Sequence, residues 1–121
     1  ALDTWNWSVG GGGKDQLDEL EDRHFVTLVI ADVPEDVDIA KITVQDRAMP
    51  TEASFPAHSR LVRALAERGY DGPITVQPHS KYLCNLTRDQ SVEACARALD
   101  EIMAAAGLTK SGRLAGTAAE A

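Results

Sequence analysis

The sequence has few of the local features that announce chemistry. Its two cysteines, Cys84 and Cys95, form no Cys-x-x-Cys pair and belong to no Cys/His cluster, so no dithiol or zinc-type motif is present. Two such thiols are compatible with a reducing cytosol, and a cytoplasmic protein is expected. No apolar run approaches the ~20 residues a membrane helix needs, so no membrane partner is expected. Ala1 to Gly13 has neither the basic n-region nor the apolar h-region of a secretory leader. The missing initiator Met points to a processed or truncated start. Basic residues are outnumbered, with 12 Lys/Arg against 19 Asp/Glu, a net charge of −7 and a pI near 4.8. That sign opposes phosphate backbones, and no Lys/Arg stripe overrides it locally, so nucleic acid is not an expected partner. The glycine run from Gly10 to Gly13 lacks both the Lys-Ser/Thr ending of a P-loop and the spacing of a dinucleotide fingerprint. It is read as a flexible loop.

What is present is a repeated grammar. The 121 residues suit one domain, and 44% hydrophobic with 26% charged residues is an ordinary globular composition. Three times a short apolar strand leads through a Gly- or Pro-bearing loop into an amphipathic helix. The first unit opens with Ala1-Leu2-Asp3-Thr4-Trp5, read as the end of a strand, and continues as a helix from Lys14 to Arg23 with Leu17 and Leu20 on one face. The second begins with the strand Phe25 to Ala31, β-branched and apolar on both faces, as in a buried parallel sheet. A long acidic loop, Asp32 to Thr51, follows; loops above ~15 residues in compact domains are usually functional or disordered. The next helix runs from Phe55 to Arg68, with Ser54 as N-cap, Pro56 in its first turn, Leu61, Val62 and Leu65 on its apolar face, and Gly69 as its stop. The third unit has the strand Ile74 to Gln77 and a final helix. Thr87 and Gln90 have capping-box spacing there, and Val92, Cys95, Leu99, Ile102 and Met103 recur at helical period up to Gly107. Thr109 to Ala121 carries no periodic pattern and is expected to be a disordered tail.

Alternating strands and helices predict a parallel sheet with right-handed crossovers. Three strands cannot close a barrel, and an open apolar edge invites pairing. A homo-oligomer is left open for that reason, and a small three-layer α/β domain remains the alternative architecture.

Four stretches, in order, resemble the C-terminal portion of the sugar phosphate isomerase/epimerase family, the xylose isomerase-like TIM barrels. Leu2-Asp3-Thr4-Trp5-Asn6 resembles the strand-six Leu-Asp-x-x-His motif. Phe25 to Val33 resembles strand seven, a His-bearing strand ending in Asp-Val. Arg47 to Ala53 resembles the Arg-x-x-Pro-Gly-Glu-Gly loop. Gly69 to Pro78 resembles Gly-Tyr-x-Gly leading into the strand-eight Ser-Val-Glu. The resemblance implies an α/β fold consisting of the C-terminal β–α units, about strands six to eight, of a (β/α)8 TIM barrel over residues 1–108. It places the active site at the carboxyl ends of the strands.

It also implies a small carbohydrate or polyol substrate and a divalent metal, Mn, Mg, Co or Zn. Such an ion would hold neighbouring sugar oxygens while carboxylates move the proton. Asp3 matches the family's metal-binding Asp. Asn6 stands in place of its His, Val29 near the position of the strand-seven His ligand, and Gln77 at the position of the strand-eight Glu. Gln77 is therefore the candidate at the catalytic position, although an amide is no general base near neutral pH and a weaker ligand than a carboxylate. With Val29 and Gln77 as they are, the metal site is short of ligands, and weak metal binding or none is expected. Arg47 matches the substrate-facing Arg, whose guanidinium can grip sugar or phosphate oxygens; otherwise it is a surface ion pair with Asp46 or Glu52. Trp5 and Trp7 offer an apolar wall for a sugar ring, or core packing. Asn6 and His79 are further substrate-side candidates, and His79, Asp32 and Asp46 are the available replacement ligands. His24 is read as structural and His58 as a solvated surface residue. A degraded isomerase/epimerase leads, a non-catalytic carbohydrate-binding barrel is the alternative, and the acidic balance disfavours the superfamily's endonuclease branch.

Overall fold

A computed structural model describes residues 1–21 and 26–109. The chain is a mixed α/β protein built on a three-stranded parallel sheet in the order β1 (Leu2–Asp3), β2 (Leu28–Ile30) and β3 (Ile74–Val76). Four α-helices accompany it among the described residues: α1 (Thr4–Val9), α2 (Lys14–Asp18), α3 (Phe55–Glu67) and α4 (Arg88–Ala105). None of them is long and apolar enough to cross a membrane.

The register sets the two faces of the sheet. Leu28 pairs with Leu2 and Ile74, Val29 with Asp3 and Thr75, and Ile30 with Val76. Paired residues on parallel strands share a face, and the face alternates along each strand. Leu28, Ile30 and Val76 are buried in one cluster with Val62 and Leu65 of α3 and Ile102 and Met103 of α4. On the other face Asp3 and Val29 are half-buried and Thr75 is exposed. Helices α3 and α4 thus cover one side of the sheet.

The sequence-predicted strands and helices exist with shorter bounds. β1 ends at Asp3 instead of running through Trp5, because the Asp3 carboxylate caps α1, its Oδ1 accepting the amides of Trp5 (3.0 Å) and Asn6 (3.2 Å). Thr4 then continues the ladder with its side chain: its hydroxyl donates to the Ala31 carbonyl and accepts the Ala31 amide, each at 3.1 Å. The first helix expected from Lys14 covers only Lys14–Asp18, and Leu20 is exposed. The Leu17 side chain, the Arg23 end of that helix, His24, Phe25 and the tail from Lys110 onward lie outside the described residues.

Both long helices stop in the same way. Gly69 and Gly107, at φ +89° and +75°, let the following residue fold back. The Tyr70 amide reaches the Leu65 carbonyl and the Leu108 amide reaches that of Met103, each at 2.9 Å. This is the left-handed glycine stop that satisfies the last carbonyls of a helix. At the start of α4, Thr87 and Gln90 form the expected reciprocal capping box. At α3 the expected cap differs. Ser54 occupies the cap position in a helical conformation (φ −96°, ψ −18°), and its hydroxyl closes a turn with Thr51 instead of capping. In α4 the expected apolar stripe holds at Cys95, Leu99, Ile102 and Met103, but Val92 is 63% exposed. It lies ten residues, or about 15 Å at 1.5 Å per residue, before Ile102, where α3 crosses and Ser59 meets the Ile102 carbonyl. The helix outruns its neighbour.

The long loop after β2 folds back on itself. Asp32 and Ala48 exchange both backbone hydrogen bonds at 2.9 Å, an isolated antiparallel bridge that closes the excursion. Inside it, Asp38 caps one 3-10 turn (Ile39–Lys41), and Thr43 and Asp46 form a capping box around another (Val44–Asp46). That box delivers Arg47 to the carboxyl ends of the strands.

Candidate functional site

Arg47 is the hub of the site. Its Nη1 donates to both carboxylate oxygens of Asp3, at 3.1 and 2.9 Å, and its Nε donates to the backbone carbonyl of Gln77 at 3.1 Å. The guanidinium carbon lies 5.6 Å from the Trp5 ring centroid, a cation–π distance. The side chains of Arg47 and Asp3 are 13% and 21% exposed, so the pair is largely shielded from water. The remaining nitrogen, Nη2, is buried and meets no acceptor among the described residues. Asp3, Trp5, Arg47 and Gln77 come from three segments, and the structure brings them together.

The expected surface pairing of Arg47 with Asp46 or Glu52 does not occur. Asp46 instead takes the Lys81 ammonium at 2.9 Å. The hydrogen bonds from Lys81 and from the Thr43 amide hold its carboxyl below the usual carboxylate range, and the same pairing raises the Lys81 ammonium above its ordinary value. Asp46 also offers its backbone carbonyl to Trp5 Nε1 at 3.0 Å, which anchors the indole that faces Arg47. Lys81 carried no signal in the sequence; only the fold brings it across 35 residues to Asp46.

Of the two roles left open, both tryptophans take the packing one. Trp5 is 5% exposed and flanks Arg47. Trp7 packs against the hydrophobic core and lies against Gly12, where an added Cβ would fall 1.4 Å from the indole ring. The glycine run therefore has a packing reason at Gly12.

Gln77 continues β3, its amide donating to the Ile30 carbonyl, and its residue is exposed. His79 follows it with its amide on the Arg47 carbonyl at 2.8 Å, while its Nδ1 accepts the Lys81 amide and caps the turn Ser80–Tyr82. Arg47, Gln77, His79 and Ser80 line a groove of about 490 Å³ together with Val44, Leu83 and Cys95. Asn6 is exposed on the first turn of α1.

No protein-family model, no curated protein and no solved structure matches this chain.

The donor set does not fit a divalent cation. Both Asp3 oxygens are engaged by Arg47, and Oδ1 also takes two backbone amides. Val29 has no donor atom, Gln77 offers only a neutral amide, and His79 Nδ1 is in use. Among the described residues no three His, Cys, Asp or Glu side chains converge as ligands would. The arrangement is instead one for hydrogen bonding: a guanidinium with a spare donor, an exposed amide and a hydroxyl at Ser80.

His58 departs from its expected place on the solvated surface. Its side chain is 11% exposed, and its Nε2 lies 2.5 Å from Asp32 Oδ1. A β–α unit sets the carboxyl end of its strand beside the start of the following helix, which is the pattern that could have paired these two positions in advance.

Proposed function

We propose that this chain is the C-terminal β–α portion of a xylose isomerase-like (β/α)8 barrel, and that the protein is a sugar or sugar-phosphate isomerase/epimerase-like protein taking a small carbohydrate at the carboxyl ends of its strands. One observation carries the reading. Arg47 meets the Asp3 carboxylate and the Gln77 backbone carbonyl, 44 and 30 residues away in the chain, at the ends of parallel strands. These are the residues that the resemblance assigns to substrate, metal and catalysis. Strand ends of this kind are where such barrels bind their ligands. Arg47 Nη2 lacks an acceptor, and a buried donor without a partner costs free energy. A sugar or phosphate oxygen entering beside Gln77 and Ser80 would recover it after a small shift of the side chain.

A second reading, a non-catalytic carbohydrate-binding barrel, is favoured by the state of Asp3. Its carboxylate is committed to Arg47, and the neutral Gln77 is no proton acceptor at physiological pH. The test uses the natural-length polypeptide, whose intact mass should correspond to about 250 residues or more. Aldose–ketose interconversion with Mn²⁺, Mg²⁺, Co²⁺ or Zn²⁺ is expected for the isomerase. Saturable sugar binding without turnover selects the binder, and the absence of both overturns both. Gln77→Glu combined with Val29→His is expected to raise Mn²⁺ affinity; unchanged affinity would undo the assignment of those two positions.

A further inference from the structure

A separate feature shares no lining residue with the groove beside Arg47. Asp32 and His58 line a groove of about 620 Å³ that Arg47 does not border. That volume is within the ~300–1,000 Å³ of small-molecule sites. An ionised carboxylate only accepts hydrogen bonds, so the contact with Asp32 places a proton on His58 Nε2, and in that Nε2–H tautomer Nδ1 is a lone-pair acceptor. Nδ1 makes no hydrogen bond to the described residues, and it is not among their sealed, unpartnered atoms. Both members of the dyad are held in place. Asp32 is pinned through its backbone to Ala48, and His58 sits in the first turn of α3 with its amide on the Ser54 carbonyl. Orientation by a carboxylate and by rigid backbone is what a polar recognition group requires.

The rest of the lining defines the ligand. Ser8 and Thr51 contribute hydroxyl groups, Pro34 and Met49 apolar surface, and Glu35 and Asp36 further carboxylates. No Lys or Arg lines the groove, so its field repels anions and favours groups that donate hydrogen bonds. We propose that this groove is a second ligand site, in which the Asp32-oriented imidazole of His58 accepts a hydrogen bond from a small hydroxyl-bearing molecule that carries no negative charge. The site does not depend on the barrel reading and has the opposite charge preference to the Arg47 guanidinium.

The test is solution NMR on the isotopically labelled natural-length polypeptide. Long-range ¹⁵N–¹H correlation should show His58 as the Nε2–H tautomer. Titrations with glucosamine, glucose and glucose 6-phosphate should shift the amides of Ser8, Asp32, Thr51 and His58, with affinity falling in that order. His58→Phe, with its spectral dispersion retained, should weaken glucosamine and glucose by about tenfold, the loss of one hydrogen bond. Should that variant fail to fold, Asp32→Asn, which releases the tautomer with little change of shape, should weaken the same two sugars. An Nδ1–H tautomer, no shift with any of the three sugars, tightest binding of the phosphate, or undiminished binding in the variants would overturn the site.

Discussion

Arg47 and Asp3 join the loop after β2 to the end of β1: one guanidinium nitrogen donates to both carboxylate oxygens, and the same side chain reaches the Gln77 carbonyl beyond β3. The pair therefore fastens the carboxyl ends of the outer strands through a single residue. Asp3 is also the cap of α1, so the same carboxylate satisfies two backbone donors that would otherwise be orphaned.

Breaking this pair is expected to destabilise the fold as well as weaken ligand binding. Arg47→Met removes three charge-assisted contacts and leaves Asp3 partly buried with only its amide partners. A loss of about 2 kcal/mol is expected for hydrogen bonds to charged groups in such a setting. Urea unfolding followed by circular dichroism should show a lower midpoint with an unchanged slope. A midpoint equal to that of the parent chain would mean that the pair contributes nothing to stability.

Gly69 offers a cleaner backbone measurement. An added Cβ would meet no atom within 4 Å, so the cost of Gly69→Ala is conformational alone, at φ +89°. About 1 kcal/mol of destabilisation is expected for a non-glycine residue held left-handed. Thermal unfolding of Gly69→Ala beside Gly69→Asn should place Asn between Gly and Ala, since Asn tolerates that region better.

The Asp46–Lys81 pair predicts a pH dependence of definite sign. The Asp46 carboxyl is lowered in the folded state, by Lys81 first and the Thr43 amide second, so its contribution is complete above the unfolded carboxylate value and is lost as pH falls through the folded one. Lys81 is raised, so its contribution is present below the ordinary lysine value and is lost as pH rises through the folded one. Lys81 is exposed, and the effect should shrink in high salt. Lys81→Met should flatten the acid limb of the stability profile relative to the parent chain; parallel acid limbs would remove the pair from the account.

Much of the architecture was legible because it depends on local pattern. The period-3.6 stripe of α3, the Thr87–Gln90 box, the glycine stops at Gly69 and Gly107 and the apolar strands all follow from propensities within a few residues of one another. The boundary errors share one cause. Thr4 and Trp5 read as strand residues, but Asp3, the last residue of β1, has a short polar side chain that caps a helix beginning at Thr4. Val92 has the right phase and lacks a neighbour, and phase alone says nothing of where the facing helix ends.

The site divides along the same line. Asp3, Trp5, Arg47 and Gln77 could be nominated one at a time from their positions in the sequence. That Arg47 would choose Asp3 over the adjacent Asp46, that Asp46 would turn to Lys81, and that His58 would leave the surface for Asp32 are all outcomes of tertiary structure. The physical reason is that helix phase, capping and glycine stops are decided by backbone geometry over one or two turns. An ion pair is decided by which charges the packed chain brings within a few ångströms and out of water, and here those partners stand 26 to 44 residues apart.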